Sequence, residues 1–174
     1  AVPDSSNSAA LGYAEYSGLQ LEHALIRNHY VGRTFIQPTQ AGRDAKVKVK
    51  YNAVREVLEG KSVVMVDDSI VRGTTTRGLV AMLRSAGARE VHMRVSSPPI
   101  TGPCYYGIDT PEKEHLIAAN MSIAEVGEAI GVDSLGYLTI EGMLAAVPGG
   151  PDGFCHACFS GQYPTQPPVD IKRY

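Results

Sequence analysis

Apolar residues in this chain cluster into short continuous runs separated by turn-forming residues, and the type of each run predicts its element. Residues 62–66 (SVVMV) are β-branched and apolar on successive positions, the pattern of a short parallel strand buried on both faces. Residues 91–95 are expected to be the next buried strand. Between them, residues 76–85 form a helical stretch with Gly87 at its C-terminal end. Strand, loop, helix and strand at this spacing make a βαβ unit, so an α/β fold is expected, with an open, mainly parallel sheet flanked by helices. A helix over 123–130, a strand over 135–138 and a helix over 140–147 continue the alternation. Nearer the start, a helix over 8–16 stops at Gly18, residues 21–27 suit a short strand, and residues 51–58 read as a helix ended by Gly60. Residues 28–46 mix Gly, Pro, Gln and charge without period, which predicts a long loop. Loops of that length are uncommon in compact domains unless they act as lids or binding elements. From residue 148 onward, Gly, Pro and two cysteines predict an irregular tail. The expected division is a main domain over 1–147 and this tail over 148–174.

Composition narrows the class. A chain of 174 residues with 44% hydrophobic and 20% charged residues suits one globular domain. The net charge of -2 gives no electrostatic reason to expect a nucleic-acid partner. No apolar run approaches the roughly 18 residues of a membrane span, and the first residues lack the charged start and apolar core of a secretory signal. A cytoplasmic setting without membrane attachment is the expectation. Three cysteines, Cys104, Cys155 and Cys158, cannot all pair within one chain, so metal binding or simple burial is expected of them.

The strongest chemical signal is the run VVMVDDSIVRGTT from Val63 to Thr75. An apolar strand leads into two adjacent carboxylates, Asp67 and Asp68. A loop of Ser69, Ile70, Val71, Arg72, Gly73, Thr74 and Thr75 then opens a helix. Ligands of open α/β sheets bind at the carboxyl ends of the strands, where the two aspartates fall. Backbone N–H groups of the loop and the positive end of the following helix suit a phosphate. Gly73 permits close approach, and the threonine hydroxyls add donors. Neighbouring aspartates raise each other's pKa, a cost that a divalent ion or sugar hydroxyls would relieve. The plainer alternative has the aspartates ending the strand and the threonines capping the helix.

This run resembles the phosphoribosylpyrophosphate (PRPP) signature of the type I phosphoribosyltransferases. The resemblance implies that Asp67 and Asp68 hold the ribose hydroxyls, directly or through Mg²⁺, and that Ser69 to Thr75 hold the 5-phosphate. Further segments are similar to one branch, the glutamine PRPP amidotransferases, in its iron–sulfur-containing subclass: VPDSS at Val2, YVGRTFI at Tyr30, PCYYGID at Pro103 and CHACF at Cys155. The likeness runs from about Val2 to Gln166.

By that resemblance Ser5 joins Asp67 and Asp68 as a Mg²⁺ ligand. The loop with Arg33, Arg43, Lys46, Lys48 and Lys50 becomes a lid closing on a polyanion, where a solvated surface loop is the alternative. Arg27, Arg33 and Lys50 stand where pyrophosphate contacts are expected, and Tyr30 where the family lines its ammonia passage. The implied reaction is displacement of pyrophosphate from PRPP by ammonia, drawn from glutamine in the whole enzyme, giving 5-phosphoribosylamine in the first step of de novo purine synthesis. Little proton transfer is needed, so no catalytic general base is assigned. Catalysis would rest on orientation and on charge stabilisation of the leaving group.

Cys155 and Cys158 form a C-x-x-C, a spacing that lets two thiolates reach one metal, with structural zinc or free thiols as alternatives. The resemblance implies a [4Fe-4S] cluster in which Cys104, Cys155 and Cys158 match three of four cysteines. The fourth, and the glutaminase domain, would lie upstream of Ala1, so the chain is expected to be a piece of a longer enzyme able to use free ammonia. A homo-oligomer with purine-nucleotide feedback is also implied. Two rivals share the PRPP loop: a base-salvage phosphoribosyltransferase and a non-catalytic PRPP-binding regulator.

Overall fold

A computed structural model describes residues 1–30, 50–148 and 153–167. In chain order its elements are α1 (Asn7–Ser17), β1 (Leu25–Arg27), β2 (Tyr51–Ala53), α2 (Arg55–Leu58), β3 (Ser62–Asp67), α3 (Thr74–Ser85) and β4 (Glu90–Val95). These are followed by a 3-10 turn (Lys113–His115), α4 (Ile117–Asn120), α5 (Ile123–Ile130), β5 (Ser134–Tyr137), α6 (Ile140–Ala145) and α7 (Ala157–Ser160).

The βαβ expectation holds. β3, β4 and β5 form a parallel sheet in that order, in register from Ser62 against Glu90 and from His92 against Ser134. Leu79, Val80 and Leu83 of α3 and Val126 and Ile130 of α5 are buried, as are Val91, Met93 and Val95 of β4. Removing each such side chain from water contributes on the order of 1.5–3 kcal/mol. One expectation is corrected here. β4 is buried on one face only: its alternate residues His92 and Arg94 are half-buried and face away from that core. His92 instead bridges the strands through Ser134 Oγ (2.9 Å) and Ser62 Oγ (3.1 Å).

Element boundaries follow local chemistry. Gly18 and Gly131 end α1 and α5 in left-handed conformations. Ser122 and Glu125 close a reciprocal capping box at the start of α5. The helix expected over 51–58 is a second correction. Tyr51–Ala53 is a strand, paired antiparallel with β1 through Leu25 and Ala53, Ile26 and Asn52, and Arg27 and Tyr51; only Arg55–Leu58 is helical. Pairing with a distant segment overrode local preference. β1 itself is shorter than residues 21–27. Among its described residues the tail contains the helical turn α7, and the loop expected over 28–46 lies mainly outside the described residues.

Candidate functional site

A cleft of about 450 Å³ opens at the carboxyl end of β3, where a parallel sheet presents its ligands. Its walls include Ser5, Asp67, Asp68, Ser69, Val71, Arg72, Gly73, Thr74 and Thr75. The two aspartates and most of the loop that follows them therefore come together with the Ser5 segment.

Asp67 is the last residue of β3 and is 7% exposed. Its Oδ1 accepts hydrogen bonds from Ser6 Oγ (3.0 Å) and from the Asp68 N–H (2.9 Å). Burial pushes its pKa up to about 6; those two hydrogen bonds pull the other way, and the neighbouring Asp68 charge adds to the rise. Asp68 is exposed, with Ser69 Oγ donating to its Oδ1 at 3.3 Å. The pair thus divides into one buried carboxylate fixed by donors and one at the cleft surface.

The loop is held from behind. Ile70 buries its side chain in the core, and the Ile117 N–H donates to the Val71 carbonyl at 2.9 Å. Gly73 adopts φ +73°, and a Cβ there would lie 2.7 Å from Ile117 Cδ1 and 3.3 Å from Ile130 Cγ2. The left-handed conformation favours glycine, and a side chain there would also displace the end of Ile117. α3 starts directly after it, two residues earlier than the sequence pattern predicts, so Thr74 and Thr75 stand in the first turn among N–H groups without helical partners.

The opposite wall is clipped to β3. The Val2 N–H donates to the Val66 carbonyl at 2.8 Å, and Ser6 reaches Asp67. Ser5, between them, is exposed and lines the cleft. Tyr51 also lines it; its hydroxyl donates to the Pro3 carbonyl at 3.3 Å, and burial raises its pKa. Arg27 is turned to Asp4 at 2.8 Å and is not among the cleft-lining residues, and its Nε is buried with no hydrogen-bond partner among the described residues. Lys50 Nζ stands 5.3 Å over the Tyr51 ring. Tyr30 is fully exposed. Arg33, Arg43, Lys46 and Lys48 lie outside the described residues.

Sequence reasoning missed Ser6, Tyr51, Asp109 and Pro111. Asp109 and Pro111 form the far wall of the cleft, on a turn stabilised by Thr110, whose Oγ1 accepts the Cys104 N–H at 2.6 Å. A serine next to the predicted one was the only available signal for Ser6.

Cys104 and Cys158 are half-buried and Cys155 is exposed. Burial raises the Cys158 pKa, and negative charge at Cys104 and at Cys155 adds to the rise. Cys104 Sγ accepts the Tyr106 N–H at 3.4 Å, and the Cys158 carbonyl accepts the Thr101 and Gly102 N–H groups. Among the described residues no group of three His, Cys, Asp or Glu side chains is gathered closely enough to hold a metal ion. No helix among them is long and apolar enough to cross a membrane.

No family model matches the chain. Curated relatives do. An amidophosphoribosyltransferase of Bacillus subtilis is 58% identical over 169 residues, covering 95% of this chain and 36% of its own length. One from Synechococcus elongatus is 56% identical over 172 residues, covering 99% and 35%, and one from Archaeoglobus fulgidus is 55% identical over 170 residues, covering 97% and 37%. The chain thus spans about a third of the length of these relatives. Among solved structures, a glutamine PRPP amidotransferase from B. subtilis complexed with ADP and GMP superposes with a TM-score of 0.84 at 57% identity, over 97% of this chain and 38% of the other.

Proposed function

This chain belongs to the amidophosphoribosyltransferase family, with the type I phosphoribosyltransferase fold, and from that premise we propose that it is the portion that binds PRPP and transfers ammonia to it, releasing pyrophosphate. The observation that carries this reading is the cleft formed by Asp67, Asp68 and the Ser69–Thr75 loop at the carboxyl end of β3.

Each wall takes a part. Backbone N–H groups around Gly73 and the hydroxyls of Ser69, Thr74 and Thr75 cradle the 5-phosphate. Asp67 and Asp68 orient the ribose, Asp67 being locked by Ser6 and Asp68 free at the cleft surface. Ser5, Asp67 and Asp68 form a hydroxyl-and-carboxylate donor set on one cleft, which fits a hard divalent cation such as Mg²⁺. Bound there, Mg²⁺ would supply charge neutralisation for the departing pyrophosphate. Arg27, Arg33 and Lys50 are assigned to the pyrophosphate side, with Arg27 exchanging Asp4 for the ligand. Fixing the sugar in one orientation contributes to the rate by removing the entropy of alignment.

Cys104, Cys155 and Cys158 are assigned to three corners of a [4Fe-4S] cluster: thiolates are the donors such a cluster takes, and the Cys104 sulfur already receives a backbone N–H. A fourth cysteine and a glutaminase portion supplying ammonia from glutamine would come from further sequence. A homo-oligomer, feedback by purine nucleotides and a cytoplasmic setting complete the proposal; the nucleotide part is supported by the ADP and GMP bound to the similar B. subtilis enzyme.

The test is phosphoribosylamine formation from PRPP, ammonia and Mg²⁺ by the full chain. Asp67→Asn and Asp68→Asn are each expected to lower PRPP use severely. Unchanged synthesis in both variants would sink the assignment.

A further inference from the structure

The front cleft, at the carboxyl end of β3, takes one wall residue, Tyr51, from the β1–β2 ribbon, a two-stranded sheet separate from β3, β4 and β5. The same ribbon carries Arg27 and Lys50. Arg27 is in register with Tyr51, and the Asn28 N–H donates to the Lys50 carbonyl at 2.8 Å, so the three belong to one backbone unit. Side chains tie this unit to the segment that holds Ser5. Arg27 Nη1 donates to Asp4 Oδ2 at 2.8 Å, and the Tyr51 hydroxyl donates to the Pro3 carbonyl at 3.3 Å. The two ties differ in kind. Arg27 is half-buried and Asp4 exposed, so an arriving polyanion competes for the guanidinium. Tyr51 is only 6% exposed, and its partner is main chain, which cannot swing away as the Asp4 side chain can. Lys50 Nζ rests 5.3 Å over the centre of the Tyr51 ring, so the ring also steadies the second cation.

We propose that Tyr51 is a positioning residue for the pyrophosphate side of the front cleft. Its hydroxyl pins the ribbon carrying Arg27 and Lys50 to the backbone of the Ser5 segment, and it keeps that spacing when Arg27 leaves Asp4 for the ligand. This role rests on the proposed function of the cleft. It also separates the two halves of the tyrosine. The ring packs into the core with Leu25 and carries Lys50, whereas the hydroxyl alone reaches across to Pro3. Tyr51→Phe therefore keeps the packing and the ring face and removes the pin. The 5-phosphate loop, Ser69 to Thr75, is held by Ile70 in the core and by the Ile117 N–H, neither of which the pin touches. Loss of the hydroxyl should thus be felt at the pyrophosphate end of a ligand and not at its 5-phosphate end.

The experiment is a calorimetric titration of the full chain, with Mg²⁺ present and ammonia left out, using two ligands. One is PRPP; the other is ribose 5-phosphate, which has the sugar and the 5-phosphate but no pyrophosphate. Tyr51→Phe is expected to weaken PRPP binding about fivefold, the size of effect one neutral hydrogen bond gives. Ribose 5-phosphate should bind the variant and the parent alike, which also shows that the variant is folded. PRPP affinity unchanged in Tyr51→Phe overturns the proposal. So does an equal loss for both ligands, because the hydroxyl would then serve the cleft or the fold as a whole. A parent protein that binds neither ligand overturns the front assignment itself, an outcome distinct from either of those.

Discussion

At the carboxyl end of β3, side chains are placed by a strand ladder, a buried helix and a left-handed glycine, whereas around Cys104 and Cys158 they are placed by hydrogen bonds between short segments and one helical turn. Asp67 already accepts two hydrogen bonds at the end of a strand paired along its whole length. Cys104 and Cys155 sit on irregular backbone and Cys158 in the single turn of α7, tied by contacts such as the Cys104 N–H to Thr110 Oγ1 and the Thr101 and Gly102 N–H groups to the Cys158 carbonyl. The first region is preorganised before any ligand arrives. In the second, no group of three His, Cys, Asp or Glu side chains among the described residues is gathered closely enough to hold a metal ion.

That contrast can be broken most directly at Gly73. Gly73→Val should cost about 1–2 kcal/mol for left-handed backbone and about 1–3 kcal/mol more for crowding against Ile117 and Ile130. It should also abolish PRPP binding, as read by denaturant midpoint and calorimetry; a variant that binds PRPP normally would show that the loop is not rigidly specified. The next effect is one of pH. Asp67 has a native pKa of about 6 against an ordinary 3.8, so the native state holds this proton more tightly than the unfolded chain does. Its contribution to stability is complete below pH 3.8 and is lost as pH rises through 6. In metal-free protein this amounts to about 3 kcal/mol, at about 1.36 kcal/mol for each of the 2.2 units between 3.8 and 6. Denaturation midpoints across that window should flatten in Asp67→Asn.

Ser6→Ala sharpens the comparison by removing one donor from a buried carboxylate. It should cost roughly 1.5–3 kcal/mol and raise the Asp67 pKa further, because the lost bond favours the ionised form; carboxylate titration by NMR checks the second part. Cys155→Ala stands at the other extreme. Its side chain is exposed, so the metal-free protein should change by no more than about 0.5 kcal/mol, while iron and acid-labile sulfide in the full-length protein should fall. A large loss of stability in metal-free Cys155→Ala would erase the distinction between the two regions.

Much of this was legible in the residues. β3, α3, β4, α5 and β5 follow from run length and β-branching, because strands inside a parallel sheet write their burial into composition. The VVMVDDSIVRGTT run located the front cleft for the same reason: its strand, carboxylates and loop are contiguous. Features made by distant partners were not readable. Tyr51 to Ala53 looked helical until paired with Leu25 to Arg27, and Asp109 enters the cleft only because a turn anchored by Thr110 carries it there. Ser5 and Ser6 are indistinguishable as neighbouring serines. Backbone direction alone sends one outward to the cleft and the other inward to Asp67.

Two consecutive β3 residues hold the start of the chain, Val66 by its carbonyl and Asp67 by its carboxylate. The strip from Val2 to Ser6 is therefore riveted at both ends to the tip of a single strand, and any pull exerted on that tip is passed to it directly. A ligand drawing on Asp67 would carry Ser5 along with it, so the two sides of the mouth would travel as one jaw.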